Sequence, residues 1–176
     1  EETTINAWTD AYMSWLSNFG NSEFTNGDNN STMGEIGGTG KRIITVGAYT
    51  SCNYIDHKNS SMWNNSGQTL NQLVSFSRLG PTADGRMKPD ITAPGSMLIS
   101  SFNSSTSSNR NGEDYNYVVK QENVNTVNYY YGSMEGTSMA TPVVTGVLAT
   151  WLQANPKLTP EQVREILSNT ATTDSY

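Results

Sequence analysis

The sequence predicts an α/β fold: part of a three-layer sandwich with a mainly parallel sheet, which these 176 residues do not complete. Three observations carry this. In residues 42–48, Ile43, Ile44, Thr45 and Val46 follow one another and end at Gly47 and Ala48. Such a short β-branched run suits a strand buried on both faces of a parallel sheet. Residues 138–154 set Met139, Ala140, Val143, Val144, Val147, Leu148, Trp151 and Leu152 on a near-continuous apolar face, so a mostly buried helix is expected. Thr159, Pro160, Glu161 and Gln162 form a capping box with proline at the first helical position. They open a second helix with Val163, Ile166 and Leu167 as its stripe. Strands and helices are too few to cover a parallel sheet on both faces.

The remaining elements follow in chain order. Trp8, Tyr12, Trp15 and Phe19 fall at helical spacing, while Thr3 to Trp8 also fits the end of a strand; the reading adopted is strand, then loop. Residues 20–40 are rich in Gly, Asn, Ser and Thr and read as irregular loop, as do residues 50–72. Leu73 to Ser77 reads as a short strand, followed by turn signals at Gly80-Pro81 and Asp84-Gly85. Asp90 to Ala93 is a further strand stopped by Pro94-Gly95, and Met97 to Ser100 is a brief extended segment. Residues 115–131 alternate as a hairpin, with Tyr115, Tyr117 and Val119 on one face of its first strand and Val127, Tyr129 and Tyr131 on one face of its second. Pro142 sits in the early turns of the first helix, and Asn155-Pro156 ends it.

Composition narrows the function classes. A net charge of −6 argues against nucleic acid or an anionic membrane as a main partner. At 35% hydrophobic and 15% charged the chain is polar for a globular protein without a disordered composition. No stretch approaches the length of a membrane-spanning helix. The first residues, Glu1-Glu2-Thr3-Thr4, are not a signal peptide. Cys52, the single cysteine, has no internal disulfide partner and no metal-ligand spacing around it.

The chemistry concentrates at Gly136-Thr137-Ser138-Met139-Ala140-Thr141-Pro142. A serine at the start of a buried helix lies beside unpaired N–H groups and the positive end of the helix dipole. Those donors can stabilise negative charge developing next to the serine oxygen. Gly136 and Ala140 let a substrate chain and neighbouring backbone come close. On these grounds alone, a helix cap is the favoured reading of Ser138, since caps are far commoner than nucleophiles. The whole string, however, resembles the nucleophile motif of the subtilisin-like serine peptidases, G-T-S-M-A, then Ala, Ser or Thr, then Pro, and all seven positions match. It differs from the G-x-S-x-G elbow of α/β-hydrolases, since Ala140 replaces the second glycine. Residues 43–48 resemble the family's strand ending in V-G-A. Residues 76–86 resemble its F-S-x-x-G-P-T-x-D-G-R segment, and residues 88–95 its K-P-D-I-x-A-P-G. The last helix resembles its domain end. The match runs from about Arg42 to Ala171 and is poor before Gly40.

The resemblance implies an endopeptidase working through an acyl-enzyme. Ser138 Oγ is the nucleophile, the Ser138 N–H an oxyanion donor, and Gly136 and Thr137 support the substrate backbone. Met139 stands on the leaving-group side. The family's triad runs Asp, His, Ser along the chain. The one histidine, His57, lies after the V-G-A strand without the flanking H-G-T-H pattern and is expected to be a solvated loop residue. Asp56 beside it is not expected to pair with it. No D-S-G or D-T-G segment occurs, Asp84 and Asp90 belong to the later segments, and Asn21 is not assigned the family's oxyanion-asparagine role. This chain is therefore expected to be the C-terminal half of a catalytic domain (residues 41–176), inactive alone for want of the triad His and Asp. Residues 1–40 are expected to be a loop-rich lead-in, with the end of an inserted β-rich module, of the kind some relatives carry, as the hypothesis for it. The expected partners are a peptide or protein substrate, the missing N-terminal half, and a second copy through exposed core faces. No cofactor is required for this chemistry. Relatives hold structural calcium, but the acidic residues here are dispersed and Asp28-Asn29-Asn30 reads as a solvated turn. By resemblance the protein is secreted or in the cell envelope. Two other readings stand beside this one: a catalytically dead scaffold or peptide-binding module, and a Ser138 that only caps its helix.

Overall fold

A computed structural model describes residues 7–8, 16–34, 37–38, 40–58, 65–105 and 116–172. The expectations for Thr3 to Asn6, Tyr12, Trp15 and Tyr115 lie outside the described residues. The elements are β1 (Val46–Tyr49), β2 (Ile91–Pro94), β3 (Leu98–Phe102), β4 (Val118–Val124), β5 (Val127–Met134), α1 (Thr137–Ala154) and α2 (Pro160–Thr170). β1 pairs with β2 in a two-stranded parallel sheet, and β3, β5 and β4 form a three-stranded antiparallel sheet in that order. The class is α/β, as expected. The chain divides into two compact units: Glu1–Thr45 with Arg78–Ile91 and Leu158–Tyr176, and Val46–Ser77 with Thr92–Lys157.

The first unit is stapled by side chains. Thr32 and Met33 N–H donate to the Leu79 carbonyl at 2.8 and 2.9 Å, and Thr32 Oγ1 accepts from Leu79 N–H at 2.8 Å. The segment resembling P-T-x-D-G-R is a closed turn. Thr82 N–H donates to the Arg86 carbonyl at 2.9 Å, and Arg86 N–H returns to Thr82 Oγ1 at 3.0 Å. The Arg86 guanidinium reaches the Gly40 carbonyl at 3.1 Å and also the Gly38 carbonyl. Asp90, its side chain 9% exposed, is the hub: it accepts from Thr45 N–H at 2.7 Å, pairs with the buried Lys88, and lies 3.1 Å from Arg164 Nε, an ion pair whose geometry falls short of a hydrogen bond. α2 opens with the predicted reciprocal cap, Gln162 N–H to Thr159 Oγ1 at 3.3 Å and Thr159 N–H to Gln162 Oε1 at 3.0 Å, and buries Val163 and Leu167.

These staples move the first strand. The sequence expects a strand over 42–48, but β1 begins only at Val46. The Ile43 carbonyl is taken by Lys88 Nζ at 2.9 Å and by Arg164 at 3.2 Å, and the Thr45 N–H by the Asp90 carboxylate. Side chains satisfy these groups where a ladder would. Leu73 to Ser77 also departs from expectation. Leu73 makes one antiparallel bridge to Tyr49, and Ser77 N–H then folds back to the Val74 carbonyl at 3.0 Å, closing a turn.

In the second unit the predicted hairpin is β4–β5. Its two loop residues, Asn125 and Thr126, have φ of 50° and 68°. Positive φ at both loop positions is what a two-residue hairpin turn of matching twist requires. Val127, Tyr129 and Tyr131 share an exposed face, while Tyr130 is buried. β3 completes the sheet, with Leu98 opposite Met134 and Phe102 opposite Tyr130. α1 packs on β1, burying Ala140 and Val144. The sequence expects a mostly buried α1, yet Val143, Val147 and Leu152 are 40%, 45% and 43% exposed. That side of the apolar face has no cover among the described residues.

Candidate active site

Ser138 sits where β5 turns into α1. The turn is Glu135-Gly136, and Gly136 adopts φ 148° and ψ 159°. A side chain at that φ would be strained, so glycine is required before the helix. Two backbone bonds strap the turn down. Gly95 N–H donates to the Tyr49 carbonyl at 3.0 Å, and Gly136 N–H donates to the Gly95 carbonyl at 2.8 Å. The end of β1, the turn after β2 and the start of α1 are thus joined in series. They approach so closely that a Cβ on Gly95 would lie 2.4 Å from Ala48 Cβ, 3.0 Å from the Gly136 carbonyl oxygen and 3.3 Å from Ala140 Cβ. Ala48 and Ala140 are fully buried. The small residues of V-G-A, A-P-G and G-T-S-M-A share one cause: three backbones meet at one point, and only Gly and Ala leave room.

Within α1, Ser138 is exposed and in the first turn, Thr137 and Met139 are half-buried, and Ala140 is buried. Gly136 is the N-cap, and no side chain caps the helix. Ser138 therefore does not serve as a cap, and among the described residues its hydroxyl has no partner. Met139 and Ala140 N–H donate to the Gly136 carbonyl at 3.0 and 3.3 Å. The Thr137 and Ser138 N–H groups precede the first intrahelical bonds and stay available, beside the positive end of the helix dipole. α1 carries no acidic residue in its first turn. Pro142 has no N–H for the Ser138 carbonyl, while the Thr141 hydroxyl donates to the Thr137 carbonyl at 2.8 Å.

The carboxylate nearest in sequence, Glu135, turns to Ser96: the Ser96 hydroxyl donates to Glu135 Oε2 at 3.3 Å. Burial raises the Glu135 pKa above the ordinary glutamate value, and the Ser96 hydrogen bond works against that rise. The sequence gives no sign of this pair, because the two residues lie in separate turns.

His57 corrects the sequence reading. It is not solvated but 6% exposed, with Nε2 2.5 Å from Ser133 Oγ on β5 and its ring edge-on to Tyr117 at 6.1 Å. Its Nε2 is engaged by Ser133, not by Ser138. The sequence could not show this, since the partner is 76 positions away. Asp56 points to solvent and accepts from the Tyr54 hydroxyl at 2.8 Å, so the two neighbours diverge as expected. Asn21 Oδ1 closes a local turn onto Glu23 N–H, and Asp28 Oδ1 does the same to Asn30 N–H. The Cys52 thiol donates to the Tyr54 carbonyl at 3.1 Å. Among the described residues no three His, Cys, Asp or Glu side chains gather as a metal site, and no helix is long and apolar enough to cross a membrane.

The exposed serine thus stands at a strand-to-helix corner, beside free N–H groups on a glycine-strapped turn. The subtilase family model matches residues 4–176, and the chain belongs to that family. It is 37% identical over 132 residues to serine protease AprX of Bacillus subtilis, a match covering 75% of this chain and 25% of that protein. An uncharacterised protein of Aquifex aeolicus is 38% identical over 137 residues, covering 78% and 53%. Minor extracellular protease Vpr of Bacillus subtilis is 37% identical over 103 residues, covering 58% and 10%. The chain thus spans from a quarter to about half the length of the first two relatives.

Proposed function

We propose that this chain carries the nucleophile of a serine endopeptidase and that Ser138 is that residue. The observation that supports it most is an exposed Ser138 hydroxyl, unpartnered among the described residues, beside free helix N–H groups on a turn strapped through Gly95 to the end of β1. Ser138 Oγ attacks the scissile carbonyl carbon as its proton passes to a base. Negative charge moves to the carbonyl oxygen, which accepts from the Ser138 N–H, and the helix end stabilises it. Gly136 and Thr137 border the substrate backbone, and Met139 faces the departing amine. Water then hydrolyses the acyl-enzyme, and no cofactor takes part in either step.

The base comes from another segment of the domain, the N-terminal half carrying the triad His and Asp, and this chain alone is inactive. Two observations support this: His57 is engaged with Ser133, and α1 exposes Val143, Val147 and Leu152. In this reading the N-terminal half covers that face and completes the three-layer sandwich, residues 1–40 lead in from it, and isolated chains self-associate. Export fits a relative named as an extracellular protease. The test is hydrolysis of an unfolded protein by the natural full-length protein. Ser138→Ala is expected to lower turnover by about 10⁶, a magnitude measured on a relative. Full turnover in Ser138→Ala contradicts the assignment. A folded wild type without turnover favours the scaffold reading.

A further inference from the structure

We propose that Glu135 is a positioning residue for Ser138: its carboxylate, gripped by the buried Ser96 hydroxyl, holds the strand-to-helix turn against the turn that follows β2. The inference rests on the reading of Ser138 as a nucleophile. It starts from the chain path. Glu135 is the single residue between the end of β5 at Met134 and Gly136, so its placement sets the entry angle of α1. Opposite it, Met97 has a φ of 52°, and Ser96 beside it is 0% exposed. A buried hydroxyl needs a partner, and Ser96 finds one in Glu135 Oε2 at 3.3 Å.

The contact runs alongside the Gly136–Gly95 backbone bond, at 2.8 Å, and the Leu98–Met134 pairing. The backbone bond fixes Gly136 and the strand pairing fixes Met134, and Glu135 between them is held by neither. The Ser96 hydroxyl supplies the hold on Glu135 itself. The clasp also disposes of a charge. A carboxylate just before a helix is attracted to the helix's first N–H groups. Those are the donors an oxyanion needs, and Ser96 turns the Glu135 carboxylate away from them. Burial, which raises the Glu135 pKa, agrees with a carboxyl drawn inward. Loss of the clasp therefore lowers the rate of the chemical step without touching substrate.

The test uses the natural full-length protein with a peptide substrate, and follows exchange of the Gly136 amide by mass spectrometry with residue-level fragmentation. Glu135→Ala is expected to lower kcat about tenfold, the effect of one lost hydrogen bond, with KM unchanged and faster Gly136 exchange. Glu135→Gln keeps an acceptor for Ser96 and is expected to restore both. Ser96→Ala is expected to match Glu135→Ala, and the double variant to be no worse than either. Wild-type kcat in Glu135→Ala, a Glu135→Gln variant as impaired as Glu135→Ala, or a change confined to KM overturns the proposal. If wild type turns over nothing while Gly136 exchange still responds as stated, the peptidase reading fails and the clasp stands.

Discussion

The surroundings of Asp90 and those of Ser138 are built on opposite plans. Around Asp90, charged side chains do the holding: Lys88, Arg164 and the Thr45 N–H converge on one buried carboxylate, and Arg86 staples its turn to the Gly38 and Gly40 carbonyls. Around Ser138, main chain and missing side chains do it: Gly95, Gly136, Ala48 and Ala140 meet at van der Waals contact, and two N–H to C=O bonds lock them. The difference follows from what each region must leave free. Nothing has to react at Asp90, so every polar group can be consumed in holding. If Ser138 is the nucleophile proposed above, its hydroxyl and the first N–H groups must remain unused, and small residues fix a turn without competing for them.

The contrast can be broken from either side. Asp90→Ala leaves the buried Lys88 ammonium uncompensated, and removing one member of a buried ion pair costs about 3–5 kcal/mol; the urea midpoint should fall accordingly. Gly95→Ala attacks the other plan. Its Cβ would stand 2.4 Å from Ala48 Cβ. Overpacking of this kind costs about 1–3 kcal/mol, but the displaced turn should lower kcat by about 10²-fold. A Gly95→Ala protein that is less stable yet fully active would show that the corner does not position Ser138. At Asp84, hydrogen bonds from Arg86 and Thr82 lower the carboxyl pKa from 3.8 to about 2. The folded-state value is the lower one, so this contribution to stability is present above pH 3.8 and is lost as pH falls through about 2. Asp84→Asn should flatten acid unfolding in that window and leave neutral-pH activity alone. The smallest effect belongs to the β4–β5 loop. Thr126 holds a φ of 68° that β-branched residues resist, so Thr126→Gly should raise stability by a few tenths to about 1 kcal/mol without altering kcat.

Legibility followed the range of the interactions. The α2 capping box spans three residues, and Thr159 and Gln162 bond as their spacing foretells. The tight corner before α1 was readable because Gly136 and Ala140 sit within one turn of Ser138 in the sequence. What the sequence hid was long-range. β1 starts late because Asp90 and Lys88, some 45 positions away, take the backbone groups of residues 43–45. His57 is buried, and its partner Ser133 on β5 lies 76 positions away. The exposure of α1 at Val143, Val147 and Leu152 is invisible to periodicity, which reports an apolar face but not what covers it. The Ser96–Glu135 clasp was hidden for the same reason.

The most direct test of the central claim is labelling with a fluorophosphonate, run on the natural full-length protein and on this 176-residue chain alone, with the adduct located by mass spectrometry and Ser138→Ala as control. A nucleophile activated by a base from elsewhere in the domain predicts an adduct on Ser138 in the full-length protein and none in the isolated chain. A folded full-length protein whose Ser138 stays unlabelled would contradict the account.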